Sequence, residues 1–512
     1  MFLEIMTATL IAANVQPGNY HPVKYEPAQV EFKVEKTLPE KTSVSNLQVN
    51  NLQVNNYTDK YRLPDKNKTK YKNYDEVIAD YTDKVLFAIR EVKRRYNQEG
   101  QFLKWITLPE AQLAIGQDGK SHLDAVYEQA SELISRKDKE ERPLVVLGIG
   151  GSKHTAEFLL NMTGLKHDRN IYFYSDIDPV SYDNFLKSTG YQLQDLNFLV
   201  VSKSGTTFET KDAFLRFENA LVNYYKQTGL SEDAAIKKAQ SHFAICTDSK
   251  ATEKNLRGII GAKNGQDNNY IKELYIHDDV GGRFSMFDDA SLFVLAYAGV
   301  SKDKTKRILE AAKKATVANL SEDIKNNHGA KGAIFYGFSS AEKFFVKQQQ
   351  YFGRLFEGAG ENWAKQLYQE SMKEIEFSVG KAPDSMHYAT EAHFTTWNRE
   401  KYCTIMTLMN PSISENYKRY VSSIENTYAD MTPVKTEILE VEDDAIKPEA
   451  IGEYIQSKHF ETVYSFIVKG LMWASANDIS NRPVLDALIQ PAVEVYKNDF
   501  KPGSPYALNP GK

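Results

Sequence analysis

Residues 142–152, RPLVVLGIGGS, are the part of the sequence that decides the fold class. The run at 144–147 is short, apolar and rich in β-branched residues, which is typical of a strand buried on both faces. Three glycines and a serine end the run, and the helical pattern TAEFLLNM follows within three residues. A buried strand that turns sharply into a helix is the first half of a βαβ unit.

The same alternation recurs along the chain. Further strand-like runs follow at 170–176 (NIYFYSD), 197–205 (NFLVVSKSG), 242–248 (HFAICTD) and 273–279 (ELYIHDD). Amphipathic patterns separate them, such as the one at 212–229, which Gly229 closes as a helix C-cap. A second series is predicted from strands at 332–338 (GAIFYGF), 402–409 (YCTIMTLM) and 434–441 (VKTEILEV) and a helix at 341–360. We therefore expect an α/β protein with two αβα lobes built on parallel-type sheets.

The domain prediction has four parts. Residues 1–110 form an N-terminal extension and helical region, 111–295 the first lobe, 296–460 the second lobe, and 461–512 a C-terminal helical segment. Within the first part, 16–73 lack sustained periodicity and are expected to be irregular, and NLQVN occurs there twice in tandem at 46–55. Apolar positions near the 3.6-residue period predict a helix at 74–96.

Bulk composition limits the classes of function. The 512 residues carry 63 basic and 68 acidic side chains, a net charge of −5, which argues against a dedicated nucleic-acid binder. Two cysteines, Cys246 and Cys403, fit a reducing compartment and form no zinc-binding spacing. The apolar start is short and carries Glu4, so we expect no targeting peptide, and no stretch has the length of a membrane helix. A cytoplasmic protein without membrane or nucleic-acid partners is predicted.

A cluster of hydroxyl groups follows the third strand-like run. The stretch 200–210, VVSKSGTTFET, supplies Ser202, Ser204, Thr206, Thr207 and Thr210 directly before a predicted helix. Hydroxyls, a glycine and a lysine at a helix N-terminus are typical of a phosphate site that needs no metal. A capping box from Thr206 or Thr207 is the alternative, although capping needs one hydroxyl and the stretch has five.

Two glycine-containing turns offer further candidates, each with two interpretations. GIGGS at 148–152 can bring backbone N–H groups close to an anion, or it can be a tight turn with Ser152 as the helix N-cap. In HDDVGGRFSMF, 277–287, glycines before Arg283 can clear space for the guanidinium to enter an occluded site. A surface loop paired through Asp278 or Asp279 is the alternative.

Three later stretches contain candidate acid, base and polar groups. Gln366 and Glu370 in KQLYQESMKE are four residues apart and share one face of a helix. TEAHFTTW contains His393, a possible acid or base, and LIQPAVEVYK places Gln490 and Lys497 two helical turns apart. Taken singly, each of these has the alternative interpretation of a solvated surface residue.

The order of these motifs resembles the glucose-6-phosphate isomerase (phosphoglucose isomerase) family. GIGGS, SKSGTTFET, DDVGGRFS, QLYQES, TEAH and QPAVEVYK match its signatures in its order over about residues 145–500. The resemblance implies two sugar-isomerase-type αβα lobes in a homodimer, which agrees with the two βα series. The sequence differs from the usual family pattern at Lys153–His154, at MFDDA (286–290) and at MKE (372–374).

The resemblance also implies roles for individual residues. Catalytic roles fall on Glu370 as the base that moves a proton between carbons 2 and 1, Arg283 beside the enediolate, and His393 and Lys497 in ring opening. Substrate contacts are implied for Gly151, Ser152, Ser202, Lys203, Ser204, Thr207, Glu209, Gln366 and Gln490. The counterpart of His393 would come from the partner subunit, with Glu209 near it.

The implied activity is reversible isomerisation of glucose 6-phosphate to fructose 6-phosphate, a step of glycolysis and gluconeogenesis. Ring opening, proton transfer and stabilisation of an enediolate need an acid, a base and a fixed cation, and they require no cofactor and no metal. Two alternatives stay open: a broader isomerase that also accepts mannose 6-phosphate, and a non-catalytic regulator that binds sugar phosphates. The proton-transfer residues argue against the regulator.

Overall fold

The structure is a computed structural model. It describes residues 56–64, 69–96, 101–136, 142–205, 207–248, 256, 268–277, 279–344, 346–356, 358–372, 377–382, 402–409, 415–430 and 432–473. The tandem NLQVN repeat and the stretches with His393, Gln490 and Lys497 lie outside these residues. The proposed domain boundaries therefore stay predictions.

Two sheets organise the described residues, and the first contains the fold-deciding stretch. Its strands are β2 (Leu144–Leu147), β3 (Ile171–Tyr174), β4 (Asn197–Ser202), β5 (Phe243–Asp248) and β6 (Ile271–Ile276). They lie in the order β3-β2-β4-β5-β6, and every neighbouring pair is parallel. The chain moves from β2 to one side and returns on the other as β4. The carboxyl ends of β2 and β4 therefore flank the topological switch point, where open α/β sheets bind ligands.

Helices cover this first sheet because their apolar residues recur at helical spacing. The helices are α3 (His122–Ser135), α4 (Gly151–Met162), α5 (Pro179–Thr189), α6 (Phe208–Gln227) and α7 (Glu232–Gln240). In α6, Phe214, Phe217 and Leu221 form one stripe that packs on Phe198 and Phe243 of the sheet. Gly229, two residues beyond α6, has φ of +94°, as expected of a glycine that ends a helix.

The second sheet repeats the winding of the first. Its strands are β1 (Tyr57–Arg62), β7 (Val346–Phe352), β8 (Phe377–Ala382), β9 (Tyr402–Met409) and β10 (Val434–Leu439). The order is β1-β10-β9-β7-β8, with β7 to β10 parallel and β1 antiparallel at the edge. A short hairpin, β11 (Val441–Glu442) and β12 (Ala445–Ile446), follows. The predicted α/β class with parallel-type sheets is confirmed.

The remaining helices pack against the two sheets and against one another. They are α1 (Tyr74–Arg95), α2 (Leu108–Leu113), α8 (Asp289–Ala298), α9 (Lys302–Leu320), α10 (His328–Ala341), α11 (Ala359–Met372), α12 (Glu415–Ala429) and α13 (Pro448–Trp473). The predicted helix at 74–96 is confirmed as α1. From residues 450 to 465 every position of α13 is buried, so this helix forms part of the core rather than its surface.

The sequence prediction is wrong at the start of the second sheet. Residues 332–338, predicted as a strand, lie inside α10, which begins after Asn327, whose side chain accepts a hydrogen bond from Ala330 N at 2.8 Å. The predicted helix 341–360 instead contains strand β7. A helix buried on nearly all sides has no polar face, so its apolar run resembles a buried strand. Three consecutive glutamines, 348–350, interrupt the apolar pattern of β7, an interior strand; Gln349 Nε2 donates to Thr407 Oγ1 of β9 at 2.6 Å.

The expectation of an irregular segment at 16–73 is also wrong for residues 57–62. These residues form β1, and they pair with β10 from Tyr57 opposite Leu439 to Arg62 opposite Val434. A polar edge strand with alternating burial carries a weak local signal, because most of its stabilisation comes from the strand beside it. The second sheet is thus completed by a strand from the N-terminal part of the chain.

Candidate functional site

The turn after β2 contains the glycine-rich motif and opens helix α4. Gly150 has φ of +58°, a conformation that favours glycine, and it occupies the N-cap position before α4 begins at Gly151. Ser152 is therefore already inside the first helical turn, and its interpretation as the N-cap is wrong. The start of α4, the positive end of its helix dipole, lies at the switch point of the first sheet, which favours an anion there.

Gly151 packs directly against the backbone of the loop that contains Arg283. A Cβ atom built on Gly151 would lie 2.1 Å from the carbonyl carbon of Gly282 and 2.6 Å from Arg283 N. Any side chain at residue 151 would therefore push the two loops apart. The glycines at 151 and 282 allow the turn after β2 and the arginine loop to touch backbone to backbone.

The hydroxyl-rich stretch forms the neighbouring turn, after β4. Gly205 has φ of +62°, and its N–H donates to Ser202 Oγ at 3.1 Å, which closes the turn. Ser202 Oγ lies 3.5 Å from Thr207 Oγ1, while Ser204 is exposed to solvent. Thr207 is the N-cap of α6, but its side chain makes no capping hydrogen bond. For Thr207 the capping alternative is therefore wrong, and Thr206 lies outside the described residues.

Lys203 links this turn to the loop after β6. Its Nζ donates to the carbonyl oxygens of His277 and Val280, at 3.2 Å each. The sequence suggested a lysine that contacts substrate; in the structure two of its three N–H donors hold the neighbouring loop. Lys203 therefore fixes the position of the chain that leads into Gly282 and Arg283.

Arg283 is buried, so its alternative interpretation as a surface loop residue is wrong. Its side chain is 1% exposed; Nε donates to Ser371 Oγ at 2.6 Å and a terminal nitrogen lies 3.2 Å from Glu370 Oε2. Burial lowers the pKa of the guanidinium from its usual value, and the Glu370 carboxylate partly counters the shift. Arginine keeps its charge in proteins, so this group is a fixed cation in a low-dielectric setting.

Helix α11 places Glu370 and Gln366 at the same location. The two side chains are one turn apart, with Gln366 Nε2 at 3.5 Å from Glu370 Oε1, as the four-residue spacing predicts. Gln366 also lies over the glycine-rich turn, because a Cβ on Gly150 would be 3.0 Å from its Nε2. Glu370 retains 34% side-chain exposure, so it can reach a ligand while it contacts buried Arg283.

Four predicted motifs thus meet at one edge of the first sheet: GIGGS, SKSGTT, GGR and QLYQES. Glu209 lies in the first turn of α6, beside the hydroxyl-rich stretch. Two supporting residues have no chemical role in the sequence prediction: Ser371, which binds Arg283, and Trp363, whose Nε1 donates to Arg283 O at 3.2 Å. Ser371 follows Glu370 directly in QES, and this adjacency is the sequence feature that could have identified Ser371 as a site residue.

His154, at one of the positions where the sequence differs from the usual pattern, lies in α4 next to this edge. Burial lowers its pKa to about 4, and the positive charge of Lys153 acts in the same direction. His154 is therefore neutral at physiological pH. Of the Lys153–His154 pair, the lysine alone adds charge near the glycine-rich turn.

The comparisons with known proteins agree with this geometry. The model of the phosphoglucose isomerase family matches residues 120–341, which include three of the four motifs. The glucose-6-phosphate isomerase of Mycoplasmopsis synoviae is 26% identical over 372 residues, covering 68% of this chain and 76% of the relative. That of Staphylococcus epidermidis is 29% identical over 62% of this chain and 66% of the relative. The match to the Borreliella afzelii enzyme, 28% identical, spans about half of that protein's length, at 48%.

Solved structures share the fold. A hypothetical protein from Thermus thermophilus superposes with a TM-score of 0.63 and 17% identity, over 86% of this chain and 98% of the other. A glucose-6-phosphate isomerase from Chlamydia trachomatis superposes with a TM-score of 0.59 and 15% identity, over 86% and 87%. Among the described residues, none of the helices combines the length and apolar character needed to span a bilayer. The family match over residues 120–341, the relatives and the shared fold all support the similarity of this chain to the phosphoglucose isomerase family.

Proposed function

We propose that the protein interconverts glucose 6-phosphate and fructose 6-phosphate at the edge of the first sheet. The observation that carries this proposal is the contact of Glu370 with Arg283, in which a partly exposed carboxylate lies 3.2 Å from a buried guanidinium. Proton transfer beside a carbonyl needs a base, and the enediolate that forms needs a fixed positive charge. One pair of side chains offers both groups at one place.

The phosphate end of the sugar is proposed to bind between the turns after β2 and β4. Helix α4 begins at Gly151 after the first of these turns, and α6 begins at Phe208 after the second. The hydroxyls of Ser202, Ser204 and Thr207 lie in the turn after β4. N–H groups at helix starts and neutral hydroxyls bind phosphate without a metal. Gly151, Ser152, Glu209 and Gln366 are proposed to contact the rest of the substrate.

The ring-opening step is assigned to residues outside the described part of the chain. His393 and Lys497 are proposed as the acid and base that open the sugar ring, and Gln490 as a substrate contact. The family resemblance implies that His393 enters the site from a partner subunit. We therefore propose a homodimer in the cytoplasm as the working form, to be checked by light scattering of the purified protein.

The proposed function is tested with purified protein, glucose 6-phosphate and a readout of fructose 6-phosphate. We expect turnover by the wild type, and for Glu370→Gln a kcat about 10²–10⁴ times lower with a nearly unchanged KM, the range for loss of a general base. Glu361→Gln, in the first turn of the same helix, is the matched control and should keep normal kcat.

Two results would contradict the proposal. Absence of turnover by an intact wild-type dimer would contradict the isomerase activity and leave a sugar-phosphate-binding protein. Normal turnover by Glu370→Gln would contradict the assignment of the base. Running mannose 6-phosphate beside glucose 6-phosphate separates a narrow from a broad isomerase.

A further inference from the structure

Two histidines and an aspartate from three distant stretches meet beside the loop that leads to Arg283. His122 is the first residue of α3, His277 follows β6, and Asp289 is the first residue of α8. One possible metal-ligand atom from each residue lies within 4.8 Å of those from the other two. Two imidazoles and one carboxylate form a common ligand set of zinc and other divalent transition metals.

The ligand atoms of His122 and Asp289 already have the spacing that one ion requires. His122 Nε2 lies 2.9 Å from Asp289 Oδ1 and 3.1 Å from Oδ2. Ligands about 2.0–2.1 Å from a metal are separated by about 3.0 Å at right angles and about 3.3 Å in a tetrahedron. The third ligand atom, from His277, lies within 4.8 Å of the other two and must move closer to share one ion with them. The His277 ring meets that of His122 edge-on, with centroids 5.7 Å apart.

An outer layer of hydrogen bonds orients these groups as in metal sites. His277 Nδ1 lies 2.6 Å from Asp288 Oδ1, an aspartate–histidine pair that directs Nε2 of the ring to a metal. The Asp289 carboxylate accepts from Gln112 Nε2 at 2.9 Å and from Tyr275 N at 2.8 Å. Such bonds fix the rotamer of a ligand before the ion arrives.

Burial gives the site a closed side and an open side. The side chains of Asp288 and Asp289 are 1% and 0% exposed, whereas those of His122 and His277 are 31% and 29% exposed. Two adjacent buried carboxylates concentrate negative charge, and a divalent cation that enters from the histidine side would compensate it. Both aspartates come from MFDDA, one of the stretches where the sequence differs from the usual pattern.

We propose that His122, His277 and Asp289 bind one zinc ion, with Asp288 as the residue that orients His277. The ion would join the start of α3, the end of β6 and the start of α8. The carbonyl of His277 accepts from Lys203, so the ion would also stiffen the connection between the turn after β4 and the Arg283 loop. The role is structural, goes beyond the proposed isomerase activity and does not depend on it.

The test measures zinc binding by the full chain after removal of any affinity tag and of bound metal with a chelator. Titration against a chromophoric zinc chelator should give one site per chain, and zinc should raise the midpoint of thermal unfolding. His122→Gln should weaken binding by more than about 100-fold and Asp288→Asn by about 10–100-fold. His167→Gln, a half-buried histidine away from the cluster, is the control and should bind as the wild type does.

Two further measurements keep the test independent of folding and of catalysis. Cobalt(II) in place of zinc should give visible absorption bands in the wild type and lose them in His122→Gln, while circular dichroism verifies that the variant is folded. Equal zinc affinity of wild type and His122→Gln, or absence of zinc binding by the wild type, would overturn the proposal. Turnover of glucose 6-phosphate by the metal-free protein tests the isomerase activity. Neither outcome of that assay changes the conclusion about zinc binding.

Discussion

Two regions of the molecule contain buried charges in different surroundings. At the edge of the first sheet, Arg283 pairs with the carboxylate of Glu370, which is one third exposed. Beside the second sheet, Lys435 and Glu437 of β10 meet Lys458 and Glu461 of α13, and all four side chains are at most 1% exposed. We call these four residues the lysine–glutamate network.

Every charge in the lysine–glutamate network is compensated. Glu437 Oε1 lies 2.6 Å from Lys435 Nζ and 2.7 Å from Lys458 Nζ, and Glu461 Oε1 lies 2.7 Å from Lys458 Nζ. Lys435 also bonds to Glu461. Alternation along a strand puts residues 435 and 437 on one face, and spacing by three does the same for 458 and 461 on the helix.

Neutral groups complete the network. Thr407 Oγ1 donates to Glu437 Oε2 at 2.5 Å, and Tyr368 OH donates to Glu461 Oε1 at 2.8 Å. Gly332 of α10 makes room for it, because a Cβ there would lie 2.1 Å from Glu461 Oε2. The fully paired, dry network fixes how β10, α13 and α10 pack, whereas the partly exposed partner of Arg283, Glu370, keeps a carboxylate that a ligand can reach.

Glu437→Gln should have the largest effect on stability. The substitution leaves two buried lysines with one carboxylate, and breaking a buried ion pair costs about 3–5 kcal/mol. Urea unfolding at pH 7 should show this loss, while Glu440→Gln, whose side chain is 38% exposed in a pair with Lys447, should change stability by less than about 1 kcal/mol. Equal losses of unfolding free energy in the two variants would show that buried and solvated charges contribute alike, contrary to this prediction.

The network should also make stability fall at acidic pH. Burial alone would raise the pKa of Glu437, but the ammonium groups of Lys435 and Lys458 outweigh it and lower that pKa from 4.5 to about 2. A depressed folded-state pKa means that the stabilisation is complete above about pH 4.5 and is lost as the pH falls toward 2, by on the order of 3 kcal/mol. Asp59, whose pKa is also lowered because it lies beside His328 and Lys331, acts in the same direction.

Unfolding free energies at pH 7, 5 and 3 measure this effect. The wild type should lose stability mainly between pH 5 and 3, and Glu437→Gln should show a shallower decline because it lacks the titrating carboxyl. Parallel pH profiles for the two proteins would show that Glu437 does not hold its charge in the folded state.

Glu370→Gln should have a smaller effect on stability than Glu437→Gln, although the two substitutions are the same chemical change. The amide oxygen can still accept from Arg283, and water screens the partly exposed position, so we expect a loss of about 1–2 kcal/mol. Urea unfolding of both variants under one condition gives the comparison directly. If Glu370→Gln lowers the free energy of unfolding as much as Glu437→Gln does, the Glu370–Arg283 pair is as inaccessible to water as the lysine–glutamate network.

Local sequence patterns were sufficient to predict the fold class, most strand positions and the motifs at the sheet edge. A buried β-branched run before glycines indicates a βα turn, and four-residue spacing puts Gln366 and Glu370 on one face. Local patterns failed at 332–338 and 346–352, where a buried helix looks apolar throughout and a central strand contains glutamines. They also missed β1, which its neighbour β10 stabilises.

The tertiary structure alone decided which distant residues touch. Gly151 against Gly282, Lys203 on the carbonyls of His277 and Val280, and the lysine–glutamate network all join stretches with no shared local pattern. Sequence spacing reports neighbours on one helix or strand, whereas burial, pairing of charge and close backbone contact depend on how whole elements pack. The packing of whole elements therefore determines the partners of a charged residue. Those partners determine whether the residue stabilises the fold or stays available for chemistry.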